Sequence, residues 1–362
     1  MSRFLWLMPP YEPENGGPYN SVLENLQHIT TDDALILTFG KVHPEIRNVI
    51  NERNLVDLEF NNGRNSIYGL GRIDIRGLRE VAQANSMLVE GFYGMPLIYG
   101  LLFNMTKSKI IVVPHGAVGQ PTSNGRFPKF FFRGVIKFLQ VVKRNSLTFL
   151  AFSELESQAI ESVFPSAVIE VKGRKIEFLP VRQDSRELSF TYMGRLSPEK
   201  GILETVNLFC AFQKLNDRYK LIIAGSGDSF FTKKLQETCN ELELSESVIF
   251  LGWLNPTERA SLLSRTSGLI CLSPFESLGL SVLEAMQHRV PIFTTHGVGA
   301  AEFVKKLRVG FVNSNTNTML SDFLSFEKNL AKYHLQYEEL GLQQVLELIP
   351  ENLNLWDSNA ET

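Results

Sequence analysis

The sequence is poor in cysteine: Cys210, Cys239 and Cys271 are an odd set whose spacing fits neither a disulfide scaffold nor a zinc site. Its six histidines contain no HxxxH pair, so a histidine-based metal centre has no support. An excess of positive charge is missing too. The 36 Lys and Arg are balanced by 39 Asp and Glu, a net charge of −3, whereas a dedicated nucleic-acid binder usually carries a basic surplus. The longest apolar stretch, Gly91 to Met105, is 15 residues and holds three Gly and a Pro. A membrane-spanning helix needs ~20 apolar residues. The N-terminal MSRFLWLMPPYEPENGG has too short an apolar run for a secretory signal and lacks a small-residue cleavage site. The expectation from these absences is a cytoplasmic protein with no bound metal.

What remains is ordinary globular material. Hydrophobic residues make up 44% and charged residues 21% of 362 positions, a length that suits two domains of roughly 150 residues. Short apolar runs alternate with amphipathic stretches, the pattern of strands and helices around parallel sheets. In the first half, strands are expected at Phe4–Met8, Ala34–Thr38, Ser86–Val89, Lys109–Val113 and Leu147–Phe152. Helices are expected near Pro18–His28, Arg76–Asn85, Pro96–Thr106, Phe127–Arg144 and Glu154–Val163. In the second half, strands are expected at Ser189–Met193, Lys220–Ala224, Ser247–Leu251, Gly268–Leu272, Pro291–Thr294 and Gly310–Val312, with helices between them. The charged stretch Lys172–Glu187 reads as a linker. The division is then a first doubly wound α/β domain over 1–180, a second over 181–334 and a helical tail over 335–362, which could return to the first domain. Ligand sites in such folds lie at the carboxyl ends of strands, where loops lead into helices.

Two loops there could carry chemistry. In Met193-Gly194-Arg195-Leu196-Ser197-Pro198-Glu199-Lys200-Gly201, Ser197 suits an N-cap and Pro198 the first helical position. Arg195 and Lys200 beside a helix start suit a diphosphate whose charge grows as it leaves. The alternative is a pair of surface cations. In Pro274-Phe275-Glu276-Ser277-Leu278-Gly279-Leu280-Ser281-Val282-Leu283-Glu284, a loop carboxylate and a helix carboxylate could reach different hydroxyls of one extended ligand. Backbone N–H groups near Leu278 to Leu280, including Gly279, would face phosphate. Glu276 alone could be a solvated residue at a helix start; Glu284, flanked by Leu283, Ala285 and Met286, calls for a polar partner. Ala224-Gly225-Ser226-Gly227-Asp228 fails as a dinucleotide fingerprint, since Phe230 occupies the third glycine position; it reads as a ligand-lining loop or a tight turn.

Arg195-x4-Lys200 followed by Glu276-x7-Glu284, within YMGRLSPEKG, LIIAGSGDS, VIFLGWL and ICLSPFESLGLSVLEAMQHRVPIFTT, resembles the retaining glycosyltransferases of the GT-B fold, glycosyltransferase family 4 (glycosyl transferases group 1). The likeness is ordered from Leu188 to Val312 and traceable earlier through Gly16-Gly17, Pro114-His115-Gly116 and AFSELESQAI. It implies two Rossmann-like domains facing a cleft and a nucleotide-diphospho-sugar as substrate, with no cofactor and no metal. By the resemblance Arg195 and Lys200 hold the diphosphate, Glu284 the ribose hydroxyls and Glu276 the transferred sugar. Gly16 and Gly17 match the family's glycine loop, and His115 its active-site histidine. Ser277-Leu278 stands where the family usually has Gly-Phe, and the chain ends soon after Trp356, where relatives have a further helix.

The implied activity is transfer of a sugar to a hydroxyl acceptor, sugar or lipid-linked, in polysaccharide or glycolipid assembly. Rival readings are a nucleotide-sugar epimerase of related fold and a non-catalytic glycosyltransferase-like subunit. Residues 126–144 carry six basic side chains and no acid. Lys129, Arg133 and Lys137 form one helical stripe, suited to peripheral contact with an anionic membrane at its inner face or to the solvated edge of a core helix.

Overall fold

The computed structural model describes residues 4–9, 11, 17–27, 34–38, 43–50, 55–57, 75–93, 95–104, 109–119, 133–138, 146–172, 185–313 and 315–347. The chain divides into two compact units at Lys172/Gly173. The expected boundary at 180/181, and most of the expected linker, fall on residues 173–184, outside the described residues, as does everything beyond residue 347.

The first unit is built on β1 (Phe4–Met8), β2 (Ala34–Thr38), β3 (Leu55–Asp57), β4 (Ser86–Glu90), β5 (Lys109–Val113), β6 (Ser146–Ala151) and β7 (Val168–Val171). They form one seven-stranded parallel sheet in the order β3-β2-β1-β4-β5-β6-β7. The helices are α1 (Gly17–Gln27), α2 (Pro44–Val49), α3 (Ile75–Gln83), α4 (Met95–Phe103), a helical segment at residues 133–138 (α5) and α6 (Glu154–Val163). Runs such as Lys109-Ile-Ile-Val-Val are nearly all apolar because a parallel sheet is covered on both faces. Leu7, Val89, Val112 and Phe149 meet in its core with Phe92 and Phe164. Sequence reading missed β3, β7 and α2. The first two are three and four residues long, too short for periodicity to register, although His43-Pro44 is a capping signal for α2.

The second unit repeats the plan with β8 (Glu187–Met193), β9 (Lys220–Ala224), β10 (Val248–Gly252), β11 (Thr266–Cys271), β12 (Ile292–Thr295) and β13 (Gly310–Asn313). The six strands are parallel in the order β10-β9-β8-β11-β12-β13. Its helices are α7 (Ile202–Gln213), α8 (Ser229–Glu241), α9 (Pro256–Arg265), α10 (Leu280–Gln287), α11 (Ala301–Leu307), α12 (Met319–Lys328) and α13 (Leu330–Glu347). In both sheets the order reverses beside the first strand, between β1 and β4 and between β8 and β11, and such a reversal opens a crevice at the carboxyl ends.

Two expectations change here. The boundary expected at 334/335 falls inside α13, where Tyr337 is buried and donates to Val290 O (3.0 Å), so the helix at that residue packs on the second unit. Ser197-Pro198 does not start an α-helix. Pro198–Lys200 is a single 3₁₀ turn without a side-chain cap, and α7 begins at Ile202 after the left-handed Gly201.

An aromatic cluster fixes the second core. Phe323 of α12 lies 4.8 Å from Phe190, 5.1 Å from Phe212 and 5.0 Å from Phe293, ring to ring. In the first unit a buried carboxylate does comparable work. Glu156, at the start of α6, accepts from Gly116 N–H (2.5 Å) and Phe152 N–H (2.9 Å), tying the turn after β5 to the end of β6. Burial pushes its carboxyl above the ordinary 4.5, against the opposing pull of those two bonds and of His115.

Two outcomes follow. Phe323→Ala is expected to destabilise the chain by about 3–5 kcal/mol in urea unfolding, and a loss below ~1 kcal/mol would contradict the packing. Because the folded carboxyl of Glu156 holds its proton to higher pH than the unfolded one, its contribution is fully present below 4.5 and declines as pH rises through the folded value. The stability of the wild type relative to Glu156→Gln should therefore fall as pH rises above 4.5, and a difference that is flat with pH would refute this.

Candidate active site

The crevice of the second unit is formed where β8 and β11 end. Beyond β8 the backbone stays bound to its neighbour: Gly194 N–H donates to Ala224 O (3.0 Å) and Leu196 N–H to Ser226 O (2.8 Å). Tyr192 donates its hydroxyl to Arg195 O (2.9 Å), and burial, reinforced by nearby Cys271 and Glu276, raises its pKa well above 10, so it remains a donor. Gly201 then turns the chain with φ of 68°, and a Cβ there would lie 2.2 Å from Leu272 O. No other residue fits without moving β11's exit. Lys200, immediately before it, is thereby delivered to Glu276.

Lys200 Nζ stands 2.7 Å from Glu276 Oε1, with 17% and 24% of the two side chains exposed. Glu276 is itself clamped by a short parallel bridge, its N–H donating to Gly297 O (2.8 Å) and its C=O accepting from Gly299 N–H (3.0 Å). Gly279, at φ 87°, caps α10, and a Cβ there would meet Val298 Cγ1 at 2.5 Å. The first N–H groups of α10, at Leu280 and Ser281, have no acceptor within the helix and carry the positive end of its dipole. One turn on, Glu284 receives the Arg259 guanidinium side-on, Nε–H to Oε2 at 2.9 Å and Nη2–H to Oε1 at 3.3 Å. Arg259 also donates to Leu254 O (3.2 Å), and its helix α9 is started by the Asn255/Glu258 capping box. This is the polar partner that the apolar flanks of Glu284 called for.

The structure thus brings Lys200, Glu276, Gly279, Leu280 and Glu284 to one switch point. Arg195 sits at the same strand end but is half-exposed and pairs with Glu199 (3.2 Å) on its own turn. The 224–228 loop is explained as a close-packed turn. A Cβ at Gly225 would be 1.8 Å from Gly194 O and one at Gly227 2.1 Å from Leu196 O, while Asp228 caps α8 through Phe231 N–H (3.1 Å).

In the first unit Gly17 opens α1, and Gly16 lies outside the described residues. His115 follows β5 directly, in the left-handed region at φ 51°, with Gly116 at φ 78°. Its Nε2 is 2.5 Å from Glu90 Oε2 at the end of β4. Tyr11 approaches the imidazole edge-on at 6.2 Å and Phe152 flanks it at 5.7 Å. Burial, with the charge of Glu90 behind it, pushes the Tyr11 hydroxyl well above 10.

Sequence reading missed Glu90, Glu156 and Arg259. Glu90 had one signal, a charged residue closing the otherwise apolar Met87-Leu88-Val89; Arg259 had none, because it reaches the site from another helix. The basic stripe is altered. Arg133 is not free for a surface: it donates to Tyr93 Oη (2.8 Å) and Val118 O (2.7 Å). Lys137 is exposed near the Phe164 ring, and Lys129 lies outside the described residues. Among the described residues no three His, Cys, Asp or Glu side chains gather as metal ligands, and no helix is long and apolar enough to cross a membrane.

Residues 174–323 match the family model described as Glycosyl transferases group 1. An alpha-monoglucosyldiacylglycerol synthase of Streptococcus pneumoniae is 32% identical over 111 residues, 31% of this chain and 24% of that protein. The chain spans about a quarter to a half of the length of the curated relatives it matches. Among solved structures, a sucrose-phosphate synthase from Thermosynechococcus elongatus superposes with a TM-score of 0.72 at 16% identity, over 96% of this chain and 95% of that one. The Anabaena protein HepE, solved with UDP and glucose, superposes with a TM-score of 0.66 at 15% identity, over 96% and 98%. Residues 174–323 therefore carry the signature of the glycosyl transferases group 1, on a chain with the fold of the GT-B glycosyltransferases.

Proposed function

We propose that the protein is a retaining, metal-independent glycosyltransferase of family 4 that moves a hexose-type sugar from a nucleotide diphosphate to a hydroxyl acceptor. The observation that carries this reading is the Lys200–Glu276 ion pair ahead of α10, where β8 and β11 diverge, with Glu284 held by Arg259 one turn into that helix. An incoming diphosphate takes the first N–H groups of α10 and draws Lys200 from Glu276 and Arg195 from Glu199. Glu276, released, accepts from hydroxyls of the transferred sugar, and Glu284, oriented by Arg259, from the ribose. In the transfer the bond from the anomeric carbon to the diphosphate oxygen breaks. The acceptor oxygen bonds to that carbon on the same face, and the acceptor proton passes to the departing diphosphate. Arg195, Lys200 and the α10 dipole stabilise the charge that develops there.

The acceptor is assigned to the first unit, whose strand ends carry His115 and Gly17, and belongs to polysaccharide or glycolipid assembly. The pneumococcal relative's name, a diacylglycerol glycoside synthase, supports a lipid-linked acceptor. Exposed Lys137 and Phe138, the latter 66% accessible, supply a peripheral contact with anionic lipid.

The test is a screen of UDP-, GDP- and ADP-sugars for thermal stabilisation, since a donor at 100 times its Kd adds about 2.7 kcal/mol. With the stabilising donor and EDTA present, wild-type turnover should persist, and Arg195→Ala and Lys200→Ala should each lose on the order of 10²–10³-fold in kcat. Unchanged turnover in both variants, or dependence on an added divalent ion, would remove the assignment. For the membrane contact, wild type should sediment with phosphatidylserine vesicles at low salt, and Lys137→Gln/Phe138→Ser should not; equal behaviour of the two would dismiss it.

A further inference from the structure

Two buried carboxylates hold the His115-Gly116 turn, and they differ in one respect. Glu156 satisfies both oxygens, Oε1 with Gly116 N–H and Oε2 with Phe152 N–H, as a structural carboxylate should. Glu90, with its side chain at 0% exposure, gives Oε2 to His115 Nε2 and leaves Oε1 with no partner among the described residues. Burying a carboxylate oxygen unsatisfied is costly, a cost that Glu156 avoids and Glu90 bears. The cluster also lies at a functional address, because Tyr11 follows β1, Glu90 ends β4 and His115 follows β5, around the reversal of the first sheet.

We propose that Glu90 is the positioning residue of His115. An ionised carboxylate only accepts, so Nε2 carries the shared proton; in the neutral ring Nδ1, which has no hydrogen-bond partner among the described residues, is then the acceptor. With no other partner among the described residues, Glu90 concentrates its charge on this one bond. The ring is thereby fixed in tautomer and in plane, between Tyr11 and Phe152, on a backbone already committed to the left-handed region. The same arrangement makes Gly91 selective. It turns at φ 81°, and a Cβ there would crowd the Tyr11 hydroxyl at 3.3 Å, so the chain leaves β4 without disturbing the ring that covers Glu90. This inference rests on the reading of His115 as the active-site histidine.

The experiment is ¹⁵N NMR of protein labelled at histidine, with the His115 signals identified by their loss in His115→Gln. Wild type should show His115 as a single Nε2–H tautomer. Glu90→Leu should lose that preference. Glu90→Gln, which keeps an acceptor in place without the charge, should retain the tautomer while its Nε2 proton resonance moves upfield. Wild-type ring signals in Glu90→Leu overturn the proposal; if that variant fails to fold, an unmoved Nε2 proton in Glu90→Gln does so. UDP release from UDP-glucose separates the two ideas. Wild-type turnover by His115→Gln would remove His115 from the reaction, and the ring signals would still decide the link to Glu90.

Discussion

The second unit depends on backbone meeting backbone with no side chain between. At the exit of β8 the chain runs against the exit of β9, and at Gly201 it presses on Leu272 at the exit of β11. Each approach is too close for a Cβ. Lys200 and Glu276 are far apart in sequence, yet both ride on segments fixed in this way, so their separation is set by the sheet and not by flexible loops. A site assembled from strand ends inherits the rigidity of the strands, which is why the crevice at a strand reversal suits charged ligands.

Much of this was legible in the sequence because parallel strands buried on both faces stand out as apolar runs. Phe4–Met8, Lys109–Val113 and Lys220–Ala224 fall where the pattern puts them. The rest was hidden for definite physical reasons. A run of three or four residues, as in β3 and β7, has no period to read. Ser197-Pro198 carries the composition of a helix start, but the left-handed Gly201 interrupts it, and only the proximity of Leu272 explains why. Arg259 and Glu90 act through space; their partners lie on other elements, and spacing along the chain cannot reveal them.

Among the described residues, buried acids mark the first unit and not the second. Glu90 and Glu156 bracket a histidine-glycine turn in which His115 alone bears the cost of the left-handed region. One carboxylate grips the backbone and the other grips the ring. Removing the first would loosen the loop, whereas removing the second would leave the loop in place and the imidazole free to turn.

The ion pairs in the crevice of the second unit have a kinetic consequence. Arg195 faces Glu199, Lys200 faces Glu276 and Arg259 faces Glu284, so these six side chains present three positive and three negative charges to solvent. By themselves these pairs add no net charge to the crevice. They therefore supply none of the long-range pull that an unpaired basic funnel exerts on an anion. Under the proposed function, a diphosphate entering this crevice would gain its charge contacts only on arrival, by displacing a carboxylate already seated there.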